Sequence, residues 1–121
     1  MQQPGTEPRT IKSQNGMRTE FFLACQGTSD QAVLSVENVL RANGFKLKDY
    51  KGEPVWKKGI GMMTAMQYVK VTPYSNGIGV QAWVQAGLGD VGLKEMCLDG
   101  VVAVVPKKML LKVIDKMRQA I

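Results

Sequence analysis

The residues with the most chemical reach in this sequence are lysines set among aromatics. The stretch VWKKGIGMMTAMQYVKV, residues 55–71, places Lys57 and Lys58 before a Gly-x-Gly and Tyr68 and Lys70 after it. Lysine beside glycine suggests a phosphate loop, but no Gly-Lys-Ser/Thr follows, and no third glycine completes a dinucleotide fingerprint. Gly59-Ile60-Gly61 therefore reads as a strand end or bulge, where glycine supplies unusual dihedrals. Met62, Met63 and Met66 read as core filler. A second lysine pair, Lys107-Lys108, follows Pro106 at the expected start of a helix. Free backbone N–H groups beside two cations make that a candidate anion site.

Catalysis has little to work with. Histidine is absent, which removes the commonest general base and a favoured zinc ligand. Asp90, Glu95 and Asp99 lie close in sequence, but their spacing matches no EF-hand. Glu95 near Cys97 has no histidine to complete a nucleophile system. No catalytic residue, metal or cofactor is expected. Cys25 and Cys97 form no Cys-x-x-Cys pair and read as inert thiols rather than a disulfide, which points to a reducing, cytoplasmic compartment.

With 121 residues the chain suits one domain. The formal charge of +6 is unevenly spread. Residues 45–72 hold six lysines and two acids, residues 101–121 five cations and one acid, and residues 73–100 one lysine and three acids. A basic surface draws phosphate or acidic partners. No stretch approaches the roughly 18 apolar residues of a membrane helix.

Several elements must position these side chains. Residues 1–16 read as a flexible arm or linker, and 17–121 as a single α+β domain. Arg18 to Cys25 is aromatic and β-prone. Thr28 with Gln31 reads as a capping box, opening a helix over 29–43 with Val33, Val36 and Leu40 on one stripe. Gly44 ends it and Phe45 folds back. Phe45–Tyr50 is a strand, residues 51–54 bend or interrupt it, and Val55–Ile60 continues it. Met66–Thr72 and Ile78–Ala86 are strands, residues 87–92 a glycine-rich loop, and Leu93–Leu98 and Val101–Val105 short strands. Pro106 suits the first helical position, and Leu110, Val113, Ile114 and Met117 form the stripe of a helix over 107–120. The order β-α-β-β-β-β-α predicts a curved antiparallel sheet with both helices packed on one face.

The other face is then open. A two-residue turn at Asn76-Gly77 sets Thr72 opposite Gln81 and Lys70 opposite Trp83. Val69, Val71, Ile78, Val80, Ala82 and Val84 face the helices. Met66, Tyr68, Lys70, Gln81, Trp83 and Gln85 face outward, joined by Phe22 and by one of Lys57 and Lys58.

The pieces Trp56-Lys57-Lys58-Gly59, Thr64-Ala65, Gln81-Ala82-Trp83 and Pro106-Lys107-Lys108 resemble an uncharacterised bacterial domain family across roughly residues 30–121. Members of that family often follow a zinc ribbon or adjoin membrane segments, so the resemblance admits a membrane only through a neighbouring segment. The element order also looks like one repeat of the TATA-box-binding-protein fold, which implies use of the open sheet face. The expected function is a non-enzymatic binding or interaction module using Tyr68, Lys70, Gln81, Trp83, Gln85, Lys57 and Lys58 for a protein partner or self-association. The alternatives are a nucleic-acid-binding domain using the same residues and a small-ligand or lipid site between sheet and helices.

Overall fold

The computed structural model describes residues 8–13, 16–59, 66–85, 95–98 and 104–121. Its elements are β1 (Arg9–Ser13), β2 (Gly16–Ala24), α1 (Ser29–Ala42), β3 (Lys46–Tyr50), β4 (Glu53–Lys58), β5 (Met66–Tyr74), β6 (Gly77–Gln85), β7 (Glu95–Met96) and α2 (Val104–Ala120). They form one curved, open sheet in the order β1-β2-β7-β6-β5-β4-β3. The six long strands run antiparallel to their neighbours. The two-residue β7 lies at one end of the β2–β6 junction, antiparallel to β6 and parallel to β2.

Helix α1 forms for the reasons its sequence shows. The Thr28 hydroxyl accepts from the Gln31 N–H at 3.2 Å. Asp30 sits in the first turn and Arg41 in the last, each matched to the helix dipole. The Phe45 N–H reaches the Leu40 carbonyl, the Gly44 N–H reaches that of Arg41, and Gly44 has φ +88°. This is a Schellman ending, and it buries Phe45. Ala32, Val36 and Leu40 of α1 pack with Leu110, Val113, Ile114 and Met117 of α2 against Phe21, Leu23, Trp56, Val69, Ile78, Val80, Ala82 and Val84. Both helices lie on this one face.

Four expectations about local structure change. Arg9–Ser13, assigned to the arm, is a strand paired with β2. Its polar sequence hid it, because an edge strand needs a neighbour's backbone more than an apolar face. Residues 51–54 do not merely bend a strand: Lys51 (φ +52°) and Gly52 (φ +89°) make a mirror-image turn between β3 and β4. Helix α2 begins at Val104, not after Pro106. Proline is still tolerated there, since the first turn has no internal acceptor for its missing N–H. The segments 60–65, 87–92 and 101–103 lie outside the described residues, as do Asp90 and Asp99.

The fourth change is a slip in register. The β5–β6 hairpin closes at Tyr74 and Gly77 around Ser75-Asn76, so Tyr68 faces Trp83 and Lys70 faces Gln81. Every expected pair is displaced by two residues. Because side chains alternate, a shift of two leaves each residue on its expected face. Gly77 is a strand residue for a packing reason: a Cβ there would lie 2.5 Å from the Leu23 carbonyl oxygen and 2.6 Å from the Phe22 ring. Gly77→Val should force β2 away from β6 and cost about 1–3 kcal/mol, as overpacking does. An unchanged urea midpoint would contradict this account of the slip.

Candidate functional site

The second sheet face is not an open aromatic platform. Trp83 is fully buried, and Tyr68 and Gln85 are each only 4% exposed. Val55, Met66, Tyr68 and Trp83 form a second apolar cluster, with Tyr50 packed against it. Tyr68 stacks on Trp83 with centroids 5.3 Å apart and rings parallel within 1°. Tyr50 leans on both rings. The expectation of stacking surfaces at Tyr68 and Trp83 is therefore corrected: their faces are spent on one another and on a cation.

That cation is Arg18, whose guanidinium carbon lies 3.7 Å from the Trp83 ring centre. Arg18 is placed by β2, where alternation puts it on the same face as Glu20 and Phe22. Its Nε and Nη2 donate to the two oxygens of Glu95 at 2.5 and 2.9 Å, a side-on bidentate pair. Its Nη1 donates to Glu53 at 3.0 Å and to the Gln81 amide oxygen at 2.9 Å. Glu95 also accepts from the Ser13 hydroxyl at 2.5 Å and the Tyr50 hydroxyl at 2.7 Å. Gln85 donates to the Tyr50 hydroxyl at 2.7 Å, and Lys70 reaches Glu53 at 3.5 Å.

Glu95 is carried by β7, which reaches its place because residue 16 is glycine. Gly16 pairs with Glu95 and has φ +143°, and a Cβ there would collide with the Glu95 backbone.

The electrostatics follow from these contacts. Burial pushes the Glu95 carboxyl up, but hydrogen bonds from Arg18, Ser13 and Tyr50 and the Arg18 charge outweigh it, so the group ends below the ordinary range. Burial pulls the Arg18 guanidinium down, and its bonds to Glu95 and Glu53 more than reverse this. Burial, and then the bond to Glu95, raise the Tyr50 hydroxyl. Burial, and then the Glu95 charge, raise Tyr68. The charges here are paired with one another, which makes the cluster a fastening, while the buried Trp83 Nε1 has no hydrogen-bond partner among the described residues. Among the described residues no group of acids and cysteines is placed to hold a metal.

The remaining expected site residues scatter. Gln81 is half-buried and holds Arg18. Lys57 lies 5.9 Å from the Tyr68 ring centre, on the second face. Lys58 points to the helix side, over Phe45. Lys107 is buried and Lys108 exposed, so the pair does not present one exposed anion site. Both cysteines are free. Nothing in the local sequence marks Arg18, Glu53, Tyr50 or Ser13 for this cluster, and the neighbours of Glu95 in sequence point only to a cation or a nucleophile. The alternation that placed Phe22 on this face reaches Arg18 if carried four residues back.

A polar cleft of about 370 Å³ opens beside the cluster. Lys12, Ser13, Tyr50, Lys51, Glu53 and Gln81 line it. Beyond it, the β3–β4 margin carries an unusual arrangement. Lys46 sits directly opposite Lys57, and Lys48 opposite Val55, so three lysines share this face. Lys46 and Lys48 are exposed.

Against family models, curated proteins and solved structures, the chain finds no match.

Breaking one partner of a buried pair leaves the other uncompensated. Arg18→Met should destabilise the domain by about 3–5 kcal/mol, measured by denaturant unfolding. The Glu95 contribution has a defined sign. A carboxyl held low when folded stabilises above its unfolded value, near 4.5, and that stabilisation is lost as pH falls through the lower folded value. Melting temperature should therefore drop as pH falls below about 4.5, and Glu95→Gln should flatten that part of the profile. An identical acid limb in the variant would remove Glu95 from the explanation.

Proposed function

We propose that this domain is a non-enzymatic binding module that engages a protein partner with an acidic surface through the basic margin of its second sheet face. The observation that carries this reading is the Lys46–Lys57 pair. Like charges directly opposite across two strands are unfavourable, and an anionic partner relieves the repulsion. Lys48 on the same face and Lys51 at the cleft extend the positive margin.

The burial of Trp83 and Tyr68 weighs against nucleic acid, because it removes the stacking platform single strands use. A small-ligand site draws on a hollow between sheet and α2 that is lined by Thr19, Phe21, Leu98 and Leu111. At about 210 Å³ it falls below the roughly 300–1,000 Å³ of most ligand pockets.

Lys46→Glu tests the reading in two directions. It turns a repulsive pair into an attractive one, so stability should rise by about 0.2–1 kcal/mol. Binding of a glutamate-rich peptide, followed by fluorescence anisotropy at low salt, should weaken. Oligonucleotides of either strandedness should show no saturable binding under the same conditions. Tight, steeply salt-dependent oligonucleotide binding with no peptide binding would replace the protein partner by nucleic acid.

A further inference from the structure

Among the described residues strand β3 is one edge of the sheet, and its only strand partner there is β4. Which of its backbone groups face outward follows from the hairpin. The Tyr50–Glu53 pair closes the two-residue turn, and such a flanking pair exchanges hydrogen bonds. Bonded and non-bonded pairs then alternate, so Lys48–Val55 and Lys46–Lys57 are bonded, while Asp49–Pro54 and Leu47–Trp56 are not. Pro54, with no N–H, stands in a non-bonded pair, as this alternation requires. The N–H and C=O groups of Leu47 and Asp49 therefore point away from β4, along the free edge.

The side chains on this edge are as ordered as the backbone. Lys46 and Lys48 lie on the second face, two residues or about 7 Å apart. Leu47 lies on the other face and is 56% exposed. No acidic partner of Lys46 or Lys48 occurs among the described residues. The opposite edge, β1, offers nothing comparable. Arg9 is bonded to Glu20, and the register puts Lys12 on the other face from Arg9.

From this edge we infer that β3 captures an extended peptide as an added strand, and that the peptide carries acidic residues at alternate positions. Its backbone pairs with Leu47 and Asp49, its acids lie over Lys46 and Lys48, and its intervening apolar residues cover Leu47. Strand addition of this kind takes affinity from the main chain and specificity from alternate side chains. The same lysines oppose pairing with a second copy of this chain in two registers. Antiparallel pairing of two β3 strands about Leu47 sets Lys46 opposite Lys48, and pairing about Lys48 sets that lysine opposite its own copy. Edge lysines commonly block self-pairing; here the block also selects the complement. This inference rests on the proposed acidic protein partner and gives it a conformation.

The test uses the full chain and a fluorescent peptide in which glutamate alternates with valine or threonine. Two further peptides carry backbone N-methyl groups, one at every odd position and the other at every even position. In an added strand only one of these sets faces β3. One methylated peptide should bind at least tenfold more weakly than the parent, while the other keeps its affinity. Leu47→Pro removes one outward N–H without touching the β4 ladder. It should also weaken the parent peptide at least tenfold, with an unchanged circular dichroism spectrum. Equal affinity for both methylated peptides would overturn strand addition while leaving charge-based binding intact. No binding of any acidic peptide at low salt would overturn both. The peptide arm uses the wild-type chain, so it stands even if Leu47→Pro fails to fold.

Discussion

A guanidinium taken out of water needs an acceptor for each of its donors, and the second face of this sheet is arranged around that need. Arg18 comes from β2, Glu95 from β7, Glu53 from β4 and Gln81 from β6. Glu95 in turn collects Ser13 from β1 and Tyr50 from β3. Strand β5 joins through Tyr68, stacked on the ring that Arg18 covers. Desolvating one charge has thus recruited side chains from each of the strands among the described residues. A well-packed apolar cluster could give equal stability, but it would not join these strands through individual donor–acceptor pairs.

The sheet therefore has two unlike interiors. On the helix side, aliphatic stripes meet aliphatic strands and almost any close-packed solution of the right volume would do. On the other side, aromatic rings sit beside a polar network whose donors and acceptors are paired one by one. That division explains which substitutions matter. Loss of a methyl group on the helix side leaves a small void, whereas loss of one donor on the other leaves a buried charge exposed to low dielectric.

Much of this was legible in the sequence, for identifiable reasons. Thr28, Gln31, Gly44 and Phe45 act within one helix and its ends, so local chemistry reveals them. The face of each residue in β5 and β6 survived a wrong register because alternation has a period of two. What stayed hidden depended on distance along the chain. Arg18 and Glu95 are far apart in sequence, and neither is unusual in composition. Gly77 looked like turn chemistry, but it is set by the close approach of β2, a strand more than fifty residues earlier. The burial of Trp83 and Tyr68 was hidden for the same reason: an alternating pattern distinguishes two faces without saying which of them meets water.

Tyr50 belongs to two neighbourhoods at once. It is the last residue of the edge strand β3, and its hydroxyl is bonded to Glu95 and Gln85 beneath Arg18. Order along the edge and order in the buried cluster are therefore linked quantities. Whatever steadies β3 also steadies the acceptor of Arg18, and by reciprocity whatever loosens Glu95 loosens the edge. The margin of this sheet is an outlying part of its interior.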